Sequence, residues 1–370
     1  MLASSPAYKL ALVQSHRRAN RVTARTPDGT LLADRIPVSG GQVTAQLSSR
    51  VTRTASFTMS DEWFPVFETD PLSPAHAIVT IESGIGYPTG EEERFPIFTG
   101  RVSSARRGRD GDVTFRADDL AAEVVAADFE KPVNSQQGLS TIAEMERLIL
   151  QAYPWATFGD HDVIDATVPK LTWDDDRGKA LDDLAASVDG RWYALGNGDF
   201  VFRRYAYTDP TPVVTLTDGN ESDPLAGHMG ILTSAVAEVS ADGAYNSIVV
   251  LAERLDGGDP IRVIERNVNP LSPYQYGGNF GIRPRKIRMQ SATALSDAQR
   301  VARGQLAAAS ALTRQWDLRL TPDMTLEPND VIGVRWRGVR DVQIIDSLTY
   351  PLSPTTAMAA KGRSSITASE

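Results

Sequence analysis

The sequence predicts a mainly β protein with an α+β insert, on three observations. Apolar residues alternate with polar ones through most of residues 8–125 and again toward the C terminus, the period of two that half-buried strands require. Turn-forming runs such as Pro27-Asp28-Gly29 and Gly40-Gly41 punctuate those stretches. Helical spacing is confined to a middle stretch and one later segment. A chain of 370 residues can bury roughly three quarters of the surface its unfolded form exposes. Its length suggests two or three domains.

Residues 8–125 read as strands joined by turns. Residues 8–13 are a short apolar run, and residues 21–25 alternate before the turn at Pro27-Asp28-Gly29. Val43, Ala45 and Leu47 alternate with Gln42, Thr44 and Gln46, and then Val51, Arg53, Ala55, Phe57 and Met59 share one parity. Further strands are expected at residues 77–81, 95–103 and 112–117, the last two joined across Arg109-Asp110-Gly111. A turn-rich, all-strand region of this kind suits a small barrel or sandwich.

The pattern changes near residue 130. Thr141 with Glu144 makes a capping box, and Ile142, Met145, Leu148, Ile149 and Ala152 form a helical stripe that Pro154 ends. A second helix is expected over residues 179–188, with Leu181, Leu184, Ala185 and Val188 on one face. It runs into a hairpin of residues 191–195 and 200–204, turning at Gly196-Asn197-Gly198-Asp199. Residues 130–207 therefore read as an α+β insert.

Strands resume after Pro210-Thr211-Pro212, and residues 246–252 and 260–266 would pair across Asp256-Gly257-Gly258. A loop rich in aromatics and glycine spans residues 270–284. Ser296 and Gln299 form another capping box, opening a helix that carries Ala298, Ala302, Leu306, Ala309 and Leu312 on one face. Gly304 inside it costs roughly 1 kcal/mol relative to Ala, so that face must pack well. Trp316, Leu318 and Leu320 alternate, Pro328-Asn329-Asp330 turns, and residues 331–336 and 341–348 return as strands.

Composition excludes several functions. Hydrophobic residues make up 41% and charged residues 23%, which is ordinary for a folded protein and argues against disorder. There is no cysteine, so disulfides, thiolate metal sites and cysteine nucleophiles are ruled out. The net charge of −9 argues against a general nucleic-acid binder, which needs surplus cations to displace counterions from phosphate. Only Lys9, Lys131, Lys170, Lys179, Lys286 and Lys361 are lysines; the other basic residues are arginine. That bias reflects either a GC-rich coding genome or the use of arginine at interfaces. No apolar run reaches the ~18 residues of a membrane span. Residues 1–12 lack the apolar core of a secretory signal, so the mature chain is expected to begin near residue 1.

The histidines are His16, His76, His161 and His228, none with a second at helical metal-binding spacing. His161, in Gly159-Asp160-His161-Asp162, reads better as a solvated turn than as a ligand. Gly-x-Ser-x-Gly and phosphate-loop patterns are absent from the sequence. Asp174-Asp175-Asp176 and Asp182-Asp183 are the densest carboxylates. A glycosidase pair or a calcium site is weighed there against simple complementarity to a helix N-terminus, which is preferred. The expectation is no catalytic residue, no metal ligand and no cofactor.

Loop aromatics remain. Trp63, Phe64 and Phe67 lie beside prolines, and Tyr274, Tyr276 and Phe280 lie among glycines. Such residues either plug barrel ends or make subunit contacts, where aromatics are enriched. Pro-Leu-Ser-Pro recurs at 71–74, 270–273 and 351–354. It is either a chance recurrence or a set of stiff loops projecting toward neighbours.

Taken in order, these segments resemble the baseplate-hub or tail-hub family of tailed phages, most nearly the minor tail proteins of long-tailed phages of actinobacteria. The resemblance is carried by Gly41-Gln-Val-Thr-Ala, Val51-Thr-Arg-Thr-Ala-Ser-Phe-Thr-Met, Phe98-Thr-Gly100-Arg-Val and Val113-Thr-Phe-Arg-Ala-Asp118-Asp-Leu120. The helix of residues 181–188, Gly190-Arg-Trp-Tyr and Gly198-Asp-Phe-Val-Phe continue it. Asn246-Ser-Ile-Val-Val is similar to the strand opening a second barrel, and the helix of residues 297–312 with Leu326-Glu-Pro-Asn-Asp330-Val-Ile-Gly-Val completes it. Glycine is usual in that family where Asn329 stands. Asparagine also enters the left-handed region readily.

The resemblance implies two tail-tube-like β-barrels, residues 1–128 and 210–370, bridged by an α+β domain of residues 129–209. It implies a structural, non-enzymatic hub: a homotrimeric, pseudo-hexameric ring closing the distal end of the tail tube in the virion, made in the host cytoplasm. Its partners would be a distal tail or tail tube protein above, a tip, spike or receptor-binding protein below, and the tape measure protein. Genomic DNA would pass through the bore without specific binding. The alternatives are a hexameric distal tail protein, a cell-wall-degrading protein, or a carbohydrate-binding module resting on Trp155, Trp173 and Trp192.

Overall fold

In the computed structural model, strand makes up 43% of the chain and helix 16%, so the protein is mainly β. The structure describes residues 1–109, 111–168, 170–188, 190–204, 211–219, 222–241, 243–252, 260–289, 295–309 and 313–364. The expected turn at residues 256–258 and Leu312 lie outside the described residues, as does the side chain of Ser296.

One large sheet organises the molecule. From one edge it runs Leu31–Ala33, Arg17–Arg25, Ile78–Gly86, Glu92–Arg107, Asp112–Asp119, Arg53–Ser60 and Gly40–Gln46, all antiparallel. The long strand Val339–Pro351 then joins these to the C-terminal strands. Along one edge it pairs with Val331–Trp336 and, further on, with Gly40–Gln46. Along the other it pairs with Met358–Ser364, which continues to Thr313–Leu320 and Leu232–Ser240.

The expected parity holds in the first half. Val43, Ala45, Ala55, Phe57 and Met59 are all buried, and the Phe57 ring stacks on Phe115 across the strand pair. These side chains share a single core with Leu216, Leu318, Leu348 and Tyr350 from the C-terminal half.

The two expected barrels are not seen: among the described residues the strand ladders form one sheet that branches at Val339–Pro351 and closes into no barrel. Side chains bridge the seam instead. Arg18 donates to the Pro351 carbonyl at 2.8 Å, and Asn20 Nδ2 to the Leu352 carbonyl at 2.7 Å.

Residues 8–13, grouped with the strands from sequence, lie instead in the helix Pro6–Leu12 and its C-cap Val13. Ser5 caps it by accepting from the Tyr8 N–H, Pro6 sits in the first turn, and Tyr8 and Leu12 lie buried one turn apart. The cap and proline outweigh a run too short to show a period.

A second core gathers around helices Ala121–Ala126, Thr141–Ala152 and Arg177–Ser187 and the hairpin Gly190–Ala194/Phe200–Arg204. The first cap is Ser140 rather than Thr141, and Glu144 turns to the Gln136 N–H and to Arg147. Asp176 caps the next helix through the Lys179 N–H, so the Asp run serves that helix start. Gly196 lets the hairpin turn lie on the large sheet, because a Cβ there would fall 2.2 Å from the Pro96 carbonyl oxygen.

The strand expected to open a second barrel, Ser247–Ala252, lies instead in a separate three-stranded sheet with Ile261–Arg266 and Pro284–Met289. Helix Leu295–Ala309 covers one face of it, packing Ala298 and Ala302 on Ile248 and Val250. Period-two patterning reports that a strand is half buried and does not report which sheet receives it. No helix among the described residues is long and apolar enough to cross a membrane.

Candidate assembly surface

Three features of the surface stand out, and the first is the loop after strand Arg53–Ser60. Trp63 and Phe64 are half buried against the main core, Arg107 pairs with Asp61, and its guanidinium lies 5.4 Å from the Phe64 ring. Asp70 accepts the N–H groups of Val66 and Phe67 at 2.7 and 2.8 Å. That carboxylate fixes the turn and holds the two side chains outward, Phe67 being 69% exposed. Of the three aromatics singled out from sequence here, only Phe67 is free for contact.

The second feature is the loop of residues 267–283. Tyr274 and Phe280 meet edge to face at 5.1 Å, Arg266 covers Tyr276 at 4.7 Å, and Arg283 covers Phe280 at 4.4 Å. The Asn246 side chain ties the loop down, donating to the Gly281 carbonyl at 2.8 Å and accepting the Arg283 N–H at 2.9 Å. The aromatics thus brace the loop, while Val268, Leu271 and Ile282 face solvent, Leu271 at 90% exposure. Sequence reasoning passed over these aliphatics, although Leu271 lies in one of the Pro-Leu-Ser-Pro strings. In the other two strings Leu72 and Leu352 are core residues.

The third is strand Leu232–Ser240, which pairs with Thr313–Leu320 along one edge and with no other strand among the described residues. Val236 and Val239 are exposed. A long edge strand with exposed valines is a template for another chain.

A buried polar joint ties the N-terminal strands to the C-terminal ones. Arg53, with no exposed surface, pairs with Glu327 and donates to the Ile97 carbonyl at 3.0 Å. The Arg53 N–H donates to Asp119 at 2.6 Å, and the Met1 ammonium pairs with Asp330. Burial pushes the Asp119 carboxyl up to about 7, against the opposing pull of the Arg53 N–H and guanidinium. Burial likewise raises Glu327, with Arg53 opposing.

Several of the residues weighed for chemistry make structural contacts. Asp182 accepts from Arg50 at 2.7 Å and from the Trp192 indole at 2.9 Å, and Asp183 accepts from Trp173 at 3.2 Å. Trp173 and Trp192 are buried; Trp155 is 51% exposed, so the three make no shared platform. His161 stacks on Phe202 at 4.3 Å and accepts that residue's N–H at 3.1 Å. Asn329 sits at φ 76°, in the left-handed region as expected.

The fold is similar to that of several solved tail proteins. It is similar to the tail protein from Neisseria meningitidis MC58, with a TM-score of 0.64 and 16% identity over 94% of this chain and 96% of that one. The 43 kDa tail protein of prophage MuSo2 from Shewanella oneidensis gives 0.63 and 12%, over 94% and 99%. Prophage tail protein gp18 from Listeria monocytogenes EGD-e gives 0.56 and 10%, over 93% and 94%. At these identities the likeness is one of fold. No family model matches the sequence, and neither does any curated protein.

Proposed function

We propose that this chain is a structural hub subunit of a phage tail tip. Three copies close into a pseudo-hexameric ring at the distal end of the tail tube, between a distal tail or tube protein and the tip or spike. The ring also meets the tape measure protein, and genomic DNA passes through its bore at ejection. Residues 1–128 and 210–370 supply the tube-like parts, residues 129–209 bridge them, and the sheet of residues 247–289 lies outboard.

The observation that carries this reading is the tail-protein fold along nearly the whole chain. Strand Leu232–Ser240, which has one strand partner among the described residues, supports it, since a ring gives its other side a neighbour. So do the rigidly held apolar tips at Val66-Phe67 and Leu271, because a permanent ring needs interfaces on the order of 2,000 Å² or more. A bore that passes DNA must not hold it, and a net charge of −9 suits a negative inner wall.

The large sheet runs continuously through both halves of the chain, and this favours a second reading: a hexameric distal tail protein with one tube unit and a peripheral one. Mass measurement of the purified protein, followed by imaging of any ring it forms, separates the two. Three copies support the hub, and six support the distal tail protein.

A further inference from the structure

Helix Leu295–Ala309 packs on one face of the outboard sheet, and no second helix packs on the other among the described residues. Residues 260–289 hold six basic side chains and one acidic one, a net +5, so the rest of this −9 chain carries −14. Strand register sorts those charges. Ile248, Val250 and Val263 face helix Leu295–Ala309, and Glu265, one register step along, pairs with Arg303 at 3.2 Å on that side.

The opposite face presents Arg262, Leu251 and Arg288 in one row and Ile264, Val249 and Lys286 in the next. Arg266 stands at its end. Arg262, Arg266, Lys286 and Arg288 are exposed. The strands bring no carboxylate to this face among the described residues. Arg262, Lys286 and Arg288 make no ion pair or hydrogen bond among the described residues.

We propose that this face docks on the acidic surface of a second copy of the same chain. Charge complementarity selects the occupant: every copy carries both the +5 segment and the −14 remainder. The face cannot meet its own image across a twofold axis, because like charges would oppose one another there. The contact is therefore heterologous, head to tail, which is the kind that closes into rings. Exposed carboxylates are densest at residues 160–183, where Asp160 and Asp174 make no ion pair or hydrogen bond among the described residues. The apolar middle of the face, Ile264 with Leu251, gives the contact area beyond its charges. This inference rests on the ring reading above.

The test is zero-length carbodiimide coupling on assembled tail tips, followed by peptide mass analysis. Lys286 is one of six lysines, and coupling should join it to an Asp or Glu of another copy. K286R keeps the charge and should lose the cross-link while still assembling. R262E/R288E should weaken association of the full chain by roughly tenfold or more, and lowering the salt should not restore it.

A ring of copies without the Lys286 link overturns this inference and leaves the hub reading standing. Coupling of Lys286 to a different protein does the same, as does binding of a short DNA duplex abolished by R262E/R288E. If copies form no ring in the tip, the hub reading falls. Self-association of the purified chain, wild type against R262E/R288E, then decides the contact, and equal association or none overturns it.

Discussion

Substituting Arg53 tests the joint between the two halves of the sheet. The guanidinium is fully enclosed and pairs with Glu327, whose side chain is itself nearly enclosed. In Arg53→Met the carboxylate keeps its burial and loses its cation, which costs about 3–5 kcal/mol. Removing both charges in Arg53→Met/Glu327→Leu should recover most of that loss, because apolar replacement of a buried pair is often neutral or stabilising. Urea unfolding read by tryptophan fluorescence gives the difference from the midpoints at constant slope. An Arg53→Met protein within about 0.5 kcal/mol of wild type would mean that the pair does not hold the joint. So would a double variant as destabilised as the two singles added together.

Asp119 sets a pH dependence. Its folded carboxyl titrates near 7 and the unfolded one in the ordinary range, so the folded state holds an extra proton between them and stability falls as pH rises toward 7. Urea midpoints across that window should fall for wild type and flatten in Asp119→Asn; equal slopes contradict this. Asn329 occupies the left-handed region, so Asn329→Gly should be tolerated and Asn329→Val should cost roughly 1–2 kcal/mol, measured by thermal unfolding. V66S/F67S and L271S should each leave the isolated chain within about 0.5 kcal/mol of wild type but reduce incorporation into tail tips, scored by counting copies in purified particles. Normal incorporation would remove these loops from the subunit boundary.

Much of the strand pattern was legible because burial on one face writes itself as alternation. Ala55, Phe57 and Met59 could be placed from parity alone. Arg53 shares their parity and is buried with them. The identity of its partner was not legible, because Glu327 lies in a turn on the other half of the sheet. The strand Val339–Pro351 was readable as a strand, but its three partners come from distant parts of the chain. The outboard sheet shows the same limit: Ser247–Ala252 alternates as a strand of either sheet would. At the surface, aromatic content marked two loops, yet cation–π and edge-to-face contacts consume most of those rings. Val66, Val268 and Leu271 stay exposed for reasons of loop geometry that composition does not carry.

A map of the assembled tail tip decides whether this chain is the hub. It should show three copies in a ring at the distal end of the tail tube, the Leu232–Ser240 edge covered by a neighbour and the bore lined by net negative charge. Six copies in the ring, a position away from the tube end, or an arginine-lined bore would contradict the hub reading.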